Sequence, residues 1–563
     1  MSRHETRIAI ALLALHATLV LWCITRNSVT FDENFHVPAG YQLVTRGDFA
    51  VSPVNPPLMK ALFGWAALAG GARPPVVDAA AAEDQMAVGL AFMRANVDRY
   101  HHVFSAARWV SLALSLVLAF LVWRFARRMH GAAGGILALG LYATAPEALA
   151  HAGLATIDVA TALVWCAALY AAWGFARSGR WGWWWALAAA TGLGTLVRFS
   201  SILLGPVLVL LAIFAVATGF ARHPRRLGLG LLALVPLTWA TLEAGYLGRT
   251  SLAPLRDRQF QSQALQGLER RWPGLRPAVP DDWLRGVDQQ LRHGEPGALT
   301  TYILGERTTD PVRSYFLIAL SLKWTIGLLV LVALSAWTAV RRRASRRSFR
   351  ATTWLLGPAA IFLGAAVIAG GPNAGVRYML PLLPLVAVWL GGLLREPPAH
   401  AVVSAKAKAR AVAWAGLVWA VAIAQPLEAA RSLPYPLAFF NAFAGGPGRG
   451  DRLVNDSNVD WGQGLIALRD ELEKRGIWRV HLAYHGTTDP SVYGIDYVPY
   501  TGGRPGPESE WVAISSYYLV GLPARMVTKT GYSDDTYVFD FRPLWNVEPT
   551  ARPAHCMYLF HNR

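Results

Sequence analysis

Apolar residues in this chain come in long unbroken runs rather than at every second or every third and fourth position. Residues 8–24 and 106–123 show it plainly, each free of charge beyond an occasional arginine at an end. An α-helix rises about 1.5 Å per residue, so roughly 20 apolar residues cover the hydrocarbon core of a bilayer. Alternating such runs with short basic loops predicts about eleven transmembrane helices. They lie near 7–25, 106–123, 132–150, 157–176, 182–197, 200–219, 227–247, 314–340, 352–370, 379–394 and 411–427. The run 58–69 carries Lys60 and is too short to span, so it is expected to lie at the interface. Arg3 and Arg7 precede the first run as in a signal peptide, but 23–29 offers no small-x-small cleavage pattern. A retained first helix is therefore expected.

Two long stretches, 27–105 and 248–312, are polar and rich in Pro and Gly, and read as external loops of a membrane domain covering 1–427. From about Glu428 the pattern becomes that of a soluble domain, 428–563. Within 460–475, Leu465, Leu468 and Leu472 share one helical face and Gly476 supplies a stop. Segments 478–484 and 511–515 alternate as strands. The fold class is thus an α-helical polytopic membrane protein with a small C-terminal α/β domain, expected outside the membrane.

Composition agrees: 54% of residues are hydrophobic and 16% charged, against about a quarter charged in soluble domains. A net charge of +18 would suggest nucleic acid, but its distribution argues otherwise. Loops 1–7, 124–130, 177–180, 221–226, 341–350 and 395–410 hold 20 Lys and Arg against two acids, Glu5 and Glu396, and the remaining chain is neutral. A one-sided basic excess in short loops is a topology signal that puts the N-terminus in the cytoplasm and the C-terminus outside. The stretch 341–350 is accordingly an orientation signal, and no nucleic-acid partner is expected. Cys23 and Cys166 fall in apolar runs and Cys556 stands alone, so no disulfide is implied. His101 and His102 are adjacent, which suits neither one helical nor one strand face, and no structural metal is expected.

Candidate chemistry gathers in the first external loop. Phe31-Asp32-Glu33-Asn34-Phe35-His36 follows the first span, and Ser52-Pro53-Val54-Asn55-Pro56-Pro57-Leu58-Met59-Lys60 comes later. Adjacent carboxylates there would lie where a lipid head group sits. The plainer reading is that Asp32 caps a helix and Glu33 complements its dipole. Arg108, Asp158, Arg198 and Arg377 stand at the outer ends of four spans. A single interfacial Arg is readily an anchor. Several of them beside an acid pair could instead supply cations for a phosphate and a base for a proton.

These motifs resemble a family. The run from FDENFH to NPPLMK is similar to the first loop of glycosyltransferases of the GT-C fold that depend on lipid-phosphate sugars, the group of the protein O-mannosyltransferases and the lipid A aminoarabinose transferase (family 39-like). Their loop carries an Asp-Glu pair and then His-Pro-Pro-Leu-x-Lys; this chain has Asn55 in place of that His. Ala107-Arg108-Trp109, Thr156-Ile157-Asp158, Tyr302-Ile303-Leu304-Gly305-Glu306 with Ser321-Leu322-Lys323-Trp324, and Arg377-Tyr378-Met379-Leu380-Pro381 resemble further family segments in the same order. Asp456-Ser457-Asn458-Val459-Asp460-Trp461-Gly462-Gln463 is similar to a segment common in bacterial members.

The resemblance implies transfer of a sugar from a polyprenyl-phosphate donor to an acceptor hydroxyl with inversion, in a bacterial inner membrane. A phosphate leaves as a stable anion, so a single carboxylate base can suffice, unlike the acid–base pairs of glycoside hydrolases. The assignment puts Asp32 as base, Glu33 as acceptor-orienting group, Arg108 first on the phosphate with Arg198 and Arg377 sharing it, and Asp158, Asn55, Lys60 and His36 in support. No cofactor is implied, although a divalent ion on Asp32 or Glu33 is compatible with the pair. Three alternatives come from other classes or chemistries, one of them a non-enzymatic membrane scaffold, which would need no acid pair beside outward-facing arginines. A secondary transporter would show repeats and interrupted helices with mid-bilayer polar residues, which the sequence does not display. A glycan ligase would use a diphosphate carrier.

Overall fold

The computed structural model describes residues 3–341, 346–369, 373–395, 404–503, 505–528 and 531–561. Parts of the basic stretch 341–350 and of the loop 395–410, including Glu396, lie outside them.

Each expected span is helical. The first is α1 (Arg3–Arg26). The first long loop folds into α2 (Glu33–Arg46), α3 (Pro57–Ala69) and α4 (Gln85–Ala95). Next come α5 (Tyr100–His130), α6 (Ala132–Ala143), α7 (Pro146–Ala152), α8 (Asp158–Ser178), α9 (Trp181–Val197), α10 (Leu204–Ala217) and α11 (Pro224–Gly245). The second long loop carries α12 (Gln263–Arg271), α13 (Asp281–His293) and a hairpin of β1 (Thr301–Ile303) with β2 (Glu306–Thr308). The remaining apolar helices are α14 (Tyr315–Lys323), α15 (Ile326–Arg341), α16 (Arg346–Ala369), α17 (Leu382–Leu390) and α18 (Ala405–Ala429).

Among the described residues, seven helices are long and apolar enough to cross a membrane, or up to nine when each bent pair counts as one span. The other two expected spans are α9, with 17 residues, and the shorter apolar helix Leu382–Leu394.

Two spans expected to be continuous are broken. The run 132–150 bends by 60° between α6 and α7. Ala145 precedes a proline and takes an extended conformation, which ends α6 and restarts the helix at Pro146. The run 314–340 bends by 114° between α14 and α15. There Thr325 Oγ1 accepts the Leu328 N–H at 3.2 Å, capping α15 as a hydroxyl residue should.

The α2–α3 hairpin positions the first-loop residues. Its helices touch at Gly40 and Gly64, where a Cβ on Gly64 would fall 2.2 Å from the Gly40 carbonyl oxygen. Only glycine allows that approach.

Residues beyond 428 build α19 (Leu465–Lys474) and a four-stranded mixed sheet in the order β4 (Tyr497–Pro499), β3 (Val480–Ala483), β5 (Trp511–Ser515), β8 (Met557–His561). A separate hairpin pairs β6 (Ala524–Thr528) with β7 (Gly531–Tyr537). The expected leucine face is buried. The helix starts at Leu465 rather than at 460, because Gly462 adopts a left-handed φ of 89° inside a tight loop. That loop docks on the segment after α1: the Ser28 N–H donates to the Gln463 carbonyl at 3.1 Å, and the Phe31 N–H to the Trp461 carbonyl at 2.8 Å.

Candidate active site

Successive helical residues point about 100° apart, so adjacent carboxylates at a helix start cannot share one direction. Asp32 and Glu33 diverge accordingly. Glu33 turns inward and is fully buried. Its Oε1 accepts Arg108 Nε at 2.8 Å and the Ala155 N–H at 2.7 Å. Its Oε2 accepts Arg108 Nη2 at 2.7 Å and both the N–H and the hydroxyl of Thr30 at 2.9 Å. Burial opposes ionisation of Glu33, but the Arg108 guanidinium and the backbone donors together outweigh it and hold the carboxyl below its ordinary range.

Arg108 closes the same knot. Nη1 donates to the carbonyls of Ile24 at 3.2 Å and Asn27 at 2.7 Å, and Nη2 also donates to Ser28 at 2.8 Å. All five N–H donors are committed inside the protein, and the side chain has 0% exposure. This geometry differs from the roles expected for both residues. Arg108 has no donor left for a phosphate, and Glu33 has no oxygen left for an acceptor or a divalent ion. Together they pin α1, α2 and α5.

Asp32 is different. Its side chain makes no capping hydrogen bond, which removes the capping reading, and 25% of it is exposed. Oδ2 accepts Arg377 Nη1 at 2.7 Å, and Oδ1 accepts nothing from the described residues. Arg377 lies in the turn Val376–Met379 ahead of α17. Its Cζ is 4.1 Å from the centroid of the Trp461 ring and 5.0 Å from that of Tyr378. Arg198, just after α9, places its Cζ 4.7 Å from the Tyr378 ring.

Asp158 joins the two arginines. It is buried at the first position of α8, where the helix dipole favours an anion. Oδ1 accepts Arg198 Nη1 at 2.8 Å, and Oδ2 faces Arg377 Nη1 at 3.9 Å. The Arg377 Nε–H is buried without a partner among the described residues. Two arginines with donors to spare, an acid holding both and a carboxylate at the rim thus meet in one place. Such a set can clamp a phosphate and accept a proton beside it.

The supporting residues separate. Lys60 is buried rather than solvated, and Nζ donates to the carbonyls of Val51 and Ser52 at 3.2 Å. Burial pushes its ammonium down to about 8. Asn55 donates to Ser52 Oγ at 3.3 Å within the same loop. His36 is buried, with Nδ1 unpartnered among the described residues. Burial pushes its imidazole down against the pull of the nearby Asp32 and Asp158 carboxylates.

Trp461, Tyr378 and Asp456 received no role from the sequence, although all three lie in motifs that stood out in it. Asp456 is partly exposed, and burial pushes its carboxyl up to about 6. Asn458, from the same motif, accepts the Val376 N–H at 2.9 Å and so sets the turn that carries Arg377.

A family model described as dolichyl-phosphate-mannose-protein mannosyltransferase matches residues 92–240, just over a quarter of the chain. That stretch holds Arg108, Asp158 and Arg198 but not the first-loop motifs, and the match bears out the resemblance to glycosyltransferases. No curated protein sequence matches. Among solved structures, ArnT from Cupriavidus metallidurans bound to undecaprenyl phosphate is similar at 16% identity over 88% of this chain and 75% of that one, with a TM-score of 0.45. The oligosaccharyltransferase AglB from Archaeoglobus fulgidus, in complex with an inhibitory peptide and a dolichol-phosphate, is similar at 14% identity over 95% and 75%, with a TM-score of 0.47.

Proposed function

We propose that this chain is an inverting glycosyltransferase that moves a sugar from a polyprenyl-phosphate carrier to an acceptor hydroxyl, with Asp32 as the base. The observation that carries the reading is the division of labour at the start of α2. Glu33 is saturated by Arg108, whereas Asp32 keeps an exposed oxygen beside Arg377. Arg198 and Arg377 hold the donor phosphate, and Asp158 positions both guanidinium groups. The acceptor oxygen attacks the anomeric carbon as Asp32 takes its proton. The bond to the phosphate oxygen breaks, and its electron pair stays on the phosphate, where the two arginines stabilise the added charge.

We place the site on the outer face of a bacterial inner membrane, with the N-terminus in the cytoplasm and residues 428–563 as an extracytoplasmic domain resting on the site. The support is the one-sided basic excess. A reporter fused after Arg563 is expected to be active only outside the cytoplasm; cytoplasmic activity would reverse this placement.

Asp32→Asn tests the chemistry. It keeps shape and one acceptor but cannot take a proton at neutral pH. General-base catalysis is worth about 10²- to 10⁴-fold, so turnover should fall by that much while donor binding and melting stay near wild type. Near-normal turnover in the well-folded variant would remove Asp32 from the mechanism.

A further inference from the structure

Helix α11 carries exposed Leu232, Val235 and Trp239 on one stripe, the face that a spanning helix turns to lipid. Its 22 residues extend about 33 Å, slightly more than a hydrocarbon core. The helix ends at Gly245, where a Cβ would fall 2.4 Å from Leu196 Cδ2 near the end of α9, so this end is level with Arg198 and the site. Trp239 sits six residues, about 9 Å, before that end. Its indole N–H donates to the Ala278 carbonyl at 2.6 Å. The second long loop is thereby held against the lipid-facing flank of α11, at the depth where the helix leaves the bilayer core.

The loop presents a built turn there. Trp272-Pro273-Gly274-Leu275 is a β-turn with proline at its second position, and the Leu275 N–H donates to the Trp272 carbonyl at 3.0 Å. The Leu255 N–H donates to the Leu275 carbonyl at 2.9 Å and the Arg256 N–H to the Pro273 carbonyl at 3.1 Å, which fixes the turn to the other limb of the loop. Yet Trp272 is 57% and Leu275 47% exposed, and Leu247, Leu252 and Leu268 on adjoining segments are exposed too. Arg270, Arg271 and Arg276 flank the tip and are exposed, and residues 270–280 contain no acid. A fixed turn that shows tryptophan and leucine to water forgoes burial, whereas the same turn at a bilayer surface gains it.

We propose that the turn 272–275 is an anchor seated in the leaflet on the site's side. Trp272 and Leu275 enter the boundary between headgroups and acyl chains, and Arg270, Arg271 and Arg276 reach the phosphates of anionic lipids. The anchor is joined to the site by α13. A Cβ on Gly286 would fall 2.6 Å from Phe199 Cζ, and the Trp283 ring meets the Phe199 ring edge-on at 5.9 Å. Phe199 directly follows Arg198. The proposal is independent of the sugar-transfer reading.

The test places a nitroxide at Leu275→Cys in the full chain, whose three native cysteines are buried. The protein is reconstituted in vesicles of dioleoyl phosphatidylcholine, alone or mixed with dioleoyl phosphatidylglycerol. Collision rates with oxygen and with a water-soluble nickel chelate give the depth of the label. Labels at Val235→Cys, on the lipid stripe, and at Lys474→Cys, on an exposed side chain of α19, set the lipid and water limits. In mixed vesicles the label is expected about 5–10 Å below the phosphates. Trp272→Ser should lower the ratio of inserted to water-exposed label about tenfold. Arg271→Gln and Arg276→Gln should each lower it about fivefold, in mixed vesicles only. Arg285→Gln, which removes an exposed partner of Glu83, should leave it unchanged. Elution profile and melting temperature show that each variant is folded; should Leu275→Cys fail them, Leu268→Cys carries the label. A label as open to nickel as the one at Lys474, which would point to a soluble partner or none, would overturn the proposal. So would a ratio that the arginine replacements leave unaltered in mixed vesicles.

Discussion

Replacing Arg108 with alanine separates two roles that predict opposite signatures. The substitution removes five hydrogen bonds that Arg108 donates, two to Glu33 and three to the carbonyls of Ile24, Asn27 and Ser28. Glu33 would keep only the donors from Thr30 and Ala155, in a site with no exposure. Removing one member of a buried pair costs about 3–5 kcal/mol, because the remaining charge is left uncompensated. Arg108→Lys should recover part of this, since an ammonium reaches fewer of the acceptors and lacks the planar fork. Arg108→Met with Glu33→Gln should be less damaged than Arg108→Ala, because no ion is then stranded. The assay is thermal unfolding in one detergent, alongside donor binding at a temperature where each variant is folded. A phosphate ligand would behave in the reverse way, with donor affinity lost and stability kept. An Arg108→Ala protein that melts like wild type and no longer binds donor would refute the structural role argued here.

Other consequences follow from the packing and the buried acids. Gly64→Ala forces a Cβ to within 2.2 Å of the Gly40 carbonyl and must part α2 from α3, for a loss of about 1–3 kcal/mol or more in melting experiments. Gly140→Ala meets nothing within 4 Å and should stay within about 0.5 kcal/mol. Burial pushes Asp460 up to about 7 from 3.8, so the folded state binds the extra proton and stability should decline as pH rises from about 4 to 7, then level off. Asp460→Asn should flatten that slope, and an unchanged pH–stability profile would count against it. Glu33 acts with the opposite sign: its folded carboxyl is held low, so its contribution is present above the ordinary glutamate range and is lost on further acidification. Glu33→Gln should therefore destabilise the protein at pH 7 and leave its melting in strong acid nearly unchanged.

Much of this arrangement is legible in the sequence because it depends on properties that act locally. Apolar runs become helices wherever burial in lipid demands internally satisfied backbone, and all eleven expected runs are helical. The basic loops lie together at one end because Arg222 meets Ala176 and Arg395 lies 3.3 Å from His130. What the sequence hides is pairing. Glu33 and Arg108 are 75 positions apart, and Asp32 and Arg377 are 345 apart. No local pattern states which arginine meets which acid. The breaks at Ala145 and Trp324 were hidden for a related reason. Hydropathy sums composition over a window and does not register a single extended residue inside it, although Pro146 is itself a local signal of the first break.

The pairing explains why two carboxylates stand side by side when the proposed chemistry needs one. A base acts only if its oxygen is held within hydrogen-bond reach of the proton it accepts, and the start of a helix after a loop is a place that frays. Glu33 removes that freedom. By binding α1's last carbonyls through Arg108 and the Ala155 N–H directly, it ties the start of α2 to three other segments within one residue of Asp32. The 100° turn to the preceding residue then sends Asp32 toward Arg377 and the rim. Arg377 is itself held between the Trp461 ring and Asp158, so the proposed base and its cationic neighbour are both set by the side chains around them. On this argument Glu33 and Asp158 are positioning residues. Their removal should blur the geometry of the site as much as its charge, which is why a role for Asp32 can be read cleanly only from a variant that leaves both in place.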